Sequence, residues 1–290
     1  MTSEMSAPQF DGTPEERERI EQVLPREAPA AAAKPRKILV TTLNLRDGEP
    51  RRGHRSIGYA NQALARMGAE TGAFEPIFDN DVSRFGPGEI DRFDAVFFNN
   101  TTGVLFEDEE LRRSLLAFVT GGGGVVGIHA AAATFCQYPR YDQWPAFGEM
   151  LGGYENGGHP WGADETIVID VEDPQSPTNA AFAGERFEIS DEVFQFKDHY
   201  SREKVRVLLR IDTDRTDTGP ERRILPERRA DMDLAMSWIR RYGDGRVFYT
   251  SFGHNPALFW DERILRHLLA GIQYAVGDLQ ADDTPRPKPS

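Results

Sequence analysis

Apolar runs alternate with segments of helical periodicity along the first half of the chain. Four runs predict buried strands, at residues 37–42, 74–78 and 95–98 and in the stretch that ends at His129. Two amphipathic helices fall between them, at residues 56–67, with Ser56 as the expected N-cap, and at residues 108–119. This alternation is typical of a parallel sheet with helices on both faces. We therefore expect an α/β fold whose sheet is mostly parallel.

The second half of the chain is less regular, but it has the same two kinds of segment. Strand character recurs at residues 165–171, 204–211, 234–240 and 246–251, and an apolar stripe predicts a closing helix at Glu262–Ala275. Ligands of open α/β sheets bind outside the carboxyl ends of the strands. Side chains that follow strand ends are therefore the first candidates for a functional site.

The two ends of the chain differ from the middle in composition. Residues 1–36 predict a charged N-terminal leader, with one short helix at residues 13–23, followed by a Pro/Ala-rich linker or strap. Residues 278–290 have almost nothing to bury and predict a disordered tail. Residues 37–277 are then expected to form one domain.

Charge and composition narrow the class of protein. The formal net charge of −13 repels the phosphates of nucleic acids, and no run approaches the roughly 20 apolar residues of a membrane span. The acidic, polar start predicts no secretory signal, and the single cysteine, Cys136, agrees with a reducing compartment. We expect a cytoplasmic enzyme or binding protein that acts on a small molecule, without a nucleic-acid or membrane partner.

Four histidines and an acidic pair stand at predicted strand ends or in loops: His54, His129, His159, His254, Asp191 and Glu192. One edge of the sheet could gather them into a pocket. Two chemistries remain open. Either His129, His159 and His254, with a carboxylate of the acidic pair, hold a divalent metal such as zinc or manganese. Or the imidazoles act without a metal as acid, base and hydrogen-bond donors.

His129 has a further property because of its place in GIHAA, directly after a glycine-rich run and an apolar strand. A strand followed by a sharp turn exposes one side chain at the edge of the sheet. If a helix begins there, its dipole disfavours the imidazolium and leaves a neutral ring that can bind a metal or accept a proton. Replacing His129 with Ala is expected to abolish turnover and leave the folding midpoint almost unchanged.

Seven short sequence motifs are spread along most of the chain. In order they are GHRSI (53–57), GIHAA (127–131), MLGGYENGGHPWG (150–162), DPQSPTN (173–179), SDEVFQF (190–196), YSREKVRVLL (200–209) and GRVFYTSFGH (245–254). This set closely resembles the trehalose-utilization, or ThuA-like, family. The resemblance implies a flavodoxin-like, doubly wound fold similar to that of class I glutamine amidotransferases. Those enzymes carry a cysteine where this chain has His129, so we expect no glutaminase activity.

The resemblance also implies a metabolic context, the catabolism of trehalose and related disaccharides beside a dehydrogenase that forms 3-keto sugars. A 3-keto group acidifies the neighbouring C2 hydrogen, and a base, an acid and an enolate-stabilising group can then cleave or isomerise the glycoside. We expect His129, Glu192 and Asp191 to be catalytic, and His54, Trp161 and Phe194 to contact the sugar. The alternative is a non-catalytic sugar-binding or regulatory protein. A homo-oligomer is expected by analogy.

Overall fold

The computed structural model describes residues 9–137, 142–155, 158–196 and 198–289. Within these residues nine strands form one central sheet. They are β1 (Lys37–Thr41), β2 (Glu75–Phe78), β3 (Ala95–Asn99), β4 (Gly124–Ile128), β5 (Thr166–Val171), β6 (Phe187–Ser190), β7 (Arg206–Ile211), β8 (Ala235–Tyr242) and β9 (Gly245–Thr250). The α-helices are α1 (Pro14–Val23), α2 (Ser56–Thr71), α3 (Glu109–Thr120), α4 (Pro145–Leu151), α5 (Pro226–Asp231) and α6 (Glu262–Ala275).

The sheet is mixed, with the strand order β6-β5-β7-β8-β9-β4-β3-β1-β2. The pairs from β9 to β2 are parallel, and the pairs from β6 to β9 are antiparallel. The α/β class is therefore confirmed, but the expectation of a mostly parallel sheet is wrong. The doubly wound, flavodoxin-like arrangement stays a prediction.

The antiparallel half has a local cause at the turn between β8 and β9. Tyr242 pairs with Gly245, so only Gly243 and Asp244 connect the two strands. Gly243 has φ of 61°, a left-handed conformation that glycine adopts at no steric cost. A two-residue connection can join only antiparallel strands, because a parallel pair needs a crossover of a dozen or more residues.

Two apolar cores lie on opposite faces of the sheet, because side chains alternate along each strand. On β1, Ile38 and Val40 belong to the core that contains α2 and α6, whereas Leu39 belongs to the core that contains α3 and α4. Helices thus cover both faces of the sheet. The carboxyl ends of the parallel strands are left at an edge where polar side chains gather.

The start of α2 differs from the expectation. Its N-cap is Arg55, which makes no side-chain capping bond, and Ser56 is the first residue of the helix. The Oγ atom of Ser56 is buried, without a hydrogen-bond partner among the described residues. The prediction that Ser56 is the N-cap is therefore wrong. The chain enters α2 through a turn in which the N–H of Ile57 donates to the carbonyl of His54.

Both terminal segments pack against the domain. In the leader, Ile20 is fully buried on α1, and Gln273 of α6 exchanges two hydrogen bonds with the backbone of Ala30. In the tail, Leu279 is buried and Asp278 forms an ion pair with Arg36. Residues 278–290 were expected to have almost nothing to bury, but Leu279 and Asp278 anchor the start of this segment. Composition does not reveal such single anchoring residues. The predicted disorder of the tail stays a prediction. No helix in the described part of the chain is long and apolar enough to cross a membrane.

Candidate functional site

The candidate site forms where three strands end. His129 follows β4, Glu192 lies two residues after β6, and His254 lies four residues after β9. His54 comes from the loop before α2, and His159 comes from the glycine-rich loop before β5. The structure therefore brings together the histidines that the sequence placed at strand ends and in loops.

His129 is held in one orientation. Its backbone is left-handed, with φ of 42°, and the chain continues into a short 3₁₀ turn, His129–Ala132. The imidazole is fully buried and lies 4.4 Å from the ring of Phe194 in a stacked arrangement. Its Nδ1 is 3.0 Å from the carbonyl oxygen of Ser251, which can only accept, so Nδ1 carries the proton. In the neutral ring, Nε2 then carries the lone pair that can accept a proton or bind a metal.

The carboxylate of Glu192 is surrounded by imidazoles. Its Oε1 atom is 3.2 Å from Nδ1 of His254, 3.4 Å from Nε2 of His159 and 3.8 Å from Nε2 of His129. Nδ1 of His254 is also 3.3 Å from Nε2 of His129. A proton on Nδ1 of His254 therefore lies within reach of both a carboxylate and a second imidazole.

Asp191 has a different environment from Glu192, although the sequence grouped them. Its buried carboxylate accepts hydrogen bonds from the backbone N–H groups of Gly253, His254 and Asn255. These contacts hold the loop that carries His254. Asp191 is thus placed to position His254, and its expected catalytic role stays a prediction.

The protonation preferences of the cluster diverge. Burial lowers the pKa of His129 well below its ordinary value, and burial lowers the pKa of His54 to about 4. The hydrogen bond to Glu192 raises the pKa of His254. Burial opposes ionisation of Glu192, but the hydrogen bond from His254 and the neighbouring histidines outweigh it and lower the pKa. His129 and His54 therefore favour the neutral form and His254 favours the protonated form, beside a carboxylate that favours ionisation.

The low pKa of His129 has a different cause from the one expected. The turn that follows it spans His129–Ala132 as a 3₁₀ turn, too short to act as a helix dipole. Desolvation is the largest effect, and the charges of His54 and His254 add to it. The direction of the shift agrees with the expectation.

The donor set suits a divalent metal. Among the described residues, one group offers ligand atoms that all lie within 4.8 Å of one another: His54, His129, Glu192 and His254. Nδ1 of His54 is buried and has no hydrogen-bond partner in the described part of the chain. His129 donates its other ring N–H to a carbonyl, the usual support for a metal-binding histidine. The expected set included His159 where this geometry has His54.

Two predicted sugar-contacting rings lie in different surroundings. Phe194 packs against the rings of His129 and His159, at 4.4 and 4.9 Å between centroids. Trp161 is 1% exposed, belongs to the core, and donates its indole N–H to the carbonyl of Asp217. Within the structure described, this ring has no face open to a ligand, because core residues surround it. Its contact with a sugar was inferred only from its closeness to His159 in sequence.

One residue that matters at the site, Ser251, escaped sequence reasoning. Ser251 orients His129 through its carbonyl, and its hydroxyl accepts from the backbone N–H of Phe194. Its position directly after β9 was the available signal. His199 was also overlooked, but it lies outside the cluster, between Asp142 and Glu149.

Cys136 does not offer the nucleophile that His129 replaces. Its thiol is buried, and burial raises its pKa well above the ordinary value. A thiol of this kind stays protonated at neutral pH and is a poor nucleophile. This favours the expectation that glutamine hydrolysis by a thiolate is not available here.

Comparisons with known proteins identify the family of the chain. The profile of the ThuA family, described as trehalose utilisation, matches residues 44–275. A ThuA-like protein from Bacteroides uniformis is similar in structure, with a TM-score of 0.64 and 20% identity over 87% of this chain and 96% of that chain. Another from Parabacteroides merdae has a TM-score of 0.58 and 19% identity over 87% and 98%. No curated protein matches the sequence. With a family match over most of its length, the chain belongs to the ThuA family.

Proposed function

We propose that the chain is a carbohydrate-catabolic enzyme that moves a proton next to the ketone of a 3-keto-glycoside. One observation carries this proposal. Glu192 and His254 meet at 3.2 Å, and Nε2 of His129 lies 3.3 Å from the same nitrogen of His254. A base and an acid in contact, with pKa values pushed apart, are the usual arrangement for proton transfer at neutral pH.

The base is His129 or Glu192. Nε2 of His129 is free because Nδ1–H is bound to Ser251, and the burial of the ring keeps it neutral. Glu192 is ionised because imidazoles surround it. Either group can take the C2 hydrogen that a 3-keto group acidifies.

The acid is His254, whose pKa is raised by its hydrogen bond with Glu192. It can protonate the departing glycosidic oxygen in an elimination, or the enolate carbon in an isomerisation. His159 lies on the other side of Glu192 and is half-exposed, so it can donate to an oxygen of the substrate. Phe194 holds the rings of His129 and His159 in place.

The residues also fit a bound zinc or manganese ion, held by His54, His129, His254 and Glu192. Such an ion would supply a Lewis acid for the carbonyl oxygen of the substrate. Loading with a metal is measured by elemental analysis of protein purified without chelators. A ketone substrate also requires a partner reaction, the oxidation of a sugar hydroxyl by a dehydrogenase.

The test is to follow the disappearance of 3-keto-trehalose and the release of free sugar by chromatography. Wild type should convert it, whereas His254→Gln should lose most of the rate, since removing a general acid or base costs roughly a hundredfold or more. The matched control is His199→Gln, which removes a histidine outside the cluster. Binding of an unmodified disaccharide without any product would instead support the alternative, a sugar-binding protein.

A further inference from the structure

A cleft of about 200 Å³ has His54 of the candidate site in its wall. Its walls come from the ends of β1 and β2, from the loop before α2 and from the N-terminal segment; they include Thr42, Asn44, Asn80, Arg51, Arg52 and Asp11. Arg51 also lines a second cleft, of about 360 Å³. Arg51 therefore borders both clefts, and the first of them reaches His54 of the candidate site.

A tight hairpin fixes the backbone of Arg51. Leu45–Arg46 pairs with Glu49–Pro50, and Asp47 and Gly48 form the turn with φ of 53° and 81°. The N–H of Arg51 then donates to the carbonyl of Asn44 at 2.8 Å. The position of Arg51 beside the clefts is thus set by hydrogen bonds rather than by a free loop.

Of the three arginines that line the first cleft, Arg52 and Arg55 each lie beside a carboxylate. Arg55 is paired with Glu16, and the exposed Arg52 lies 3.5 Å from the exposed Asp11. Within the described ranges no carboxylate is paired with Arg51. Arg51 is itself exposed at the mouth of the cleft, where its guanidinium is open to solvent. Free guanidinium groups bind carboxylates and phosphates well, because their donors match two oxygens at once.

The N-terminal segment completes this cleft. The ring of Phe10 packs on Tyr59 at 4.8 Å, and Gly58 lets the chain pass closely, since a Cβ atom there would lie 2.8 Å from the carbonyl oxygen of Gln9. The family match begins at residue 44. Gln9 and Asp11, which line the cleft, therefore lie outside the residues that the family profile matches.

We propose that the cleft is a subsite for an anionic group of the ligand, a carboxylate or a phosphate, and that Arg51 binds it. Arg52 contributes a second positive charge, and Asp11 weakens the site by competing for Arg52. The inference deepens the proposed function, on which it rests for the sugar nature of the ligand. It names an acidic sugar as the substrate class.

Titration calorimetry tests this without any turnover, with glucuronate, glucose 6-phosphate and glucose at matched ionic strength. Glucuronate differs from glucose only at C6, so its binding isolates the carboxylate, and glucose 6-phosphate does the same for a phosphate. We expect at least one anion to bind more tightly than glucose. Arg51→Gln should weaken that binding roughly tenfold, the effect of losing one charged hydrogen bond.

The matched control is Arg113→Gln, which removes the same charge from the exposed face of α3 and borders neither cleft. Its binding should equal that of wild type. Asp11→Asn should tighten binding of the anion, because Arg52 is then free. Equal binding of glucose and both anions, or an unchanged affinity in Arg51→Gln, would overturn the subsite. A failed turnover assay with intact, Arg51-dependent binding would instead count against the proposed reaction alone.

Discussion

At the scale of single residues, His129 shows what sequence can and cannot predict. Its position at the end of a strand followed from the apolar run before it, and the structure places it at the end of β4. Its left-handed backbone did not follow, because an apolar pattern does not reveal backbone torsion angles, and its bond to the carbonyl of Ser251 did not follow, because Ser251 is far away in sequence. The burial of Trp161 did not follow either, since it depends on packing beyond its own loop, and its expected contact with a sugar stays a prediction.

The burial of His129 changes the expected result of its replacement. We predict that His129→Ala abolishes turnover and also lowers the free energy of unfolding by about 2 kcal/mol, because a cavity forms and the Ser251 carbonyl loses its donor. Urea unfolding monitored by circular dichroism measures the second effect. Retention of the wild-type rate would remove His129 from the mechanism.

The raised pKa of His254 predicts an alkaline limb in the pH profile of kcat/KM. His254 stays protonated above its ordinary value of 6.5 and loses its proton as the pH rises further. If it is the acid, kcat/KM falls on the alkaline side. The bases stay unprotonated well into the acidic range, since the pKa values of His129 and Glu192 are lowered. An alkaline limb of unchanged position in His254→Gln would assign it to another group.

At the scale of elements, the apolar pattern located most strands but not their directions. The closing helix was predicted at its observed bounds, Glu262–Ala275, because its buried stripe is long and periodic. Strand β6 and helices α4 and α5 escaped prediction, being short. The Gly-Asp turn between β8 and β9 was a usable sign of a hairpin. Attention to that turn would have revealed part of the antiparallel half.

Glycines also set how closely elements approach, which gives a test at this scale. A Cβ atom at Gly245 would lie 2.1 Å from the carbonyl oxygen of Val119, at the end of α3. We predict that Gly245→Ala lowers the free energy of unfolding by about 2 kcal/mol, since backbone must move. Gly162→Ala is the control, because its nearest atom is a side-chain oxygen at 3.4 Å. Equal denaturation midpoints for the two variants would contradict the packing described.

At the scale of the whole molecule, the terminal segments belong to the domain's packing. Arg36, just before β1, binds Asp94 and Asp278 together. Composition predicted a charged leader but could not show which of its residues are buried, because α1 carries few apolar side chains. The expected homo-oligomer stays a prediction.

The leader's contribution can be measured through Ile20, which is fully buried on α1. We predict that Ile20→Ala lowers the free energy of unfolding by about 2–5 kcal/mol, the usual range for truncation in a core. Glu18→Ala, on the exposed side of the same helix, should change it by less than about 0.5 kcal/mol. A similar small effect of both variants would show that α1 adds little to stability.

The central claim is that the cluster of His129, Glu192 and His254 transfers a proton at the carbon next to a ketone. The most direct measurement is NMR of 3-keto-trehalose in D₂O with protein purified without chelators, comparing wild type, His129→Ala and His199→Gln. The account predicts deuterium at C2, or bond cleavage, with wild type and His199→Gln but not with His129→Ala. No exchange and no cleavage with wild type, even after zinc or manganese is added, would contradict it.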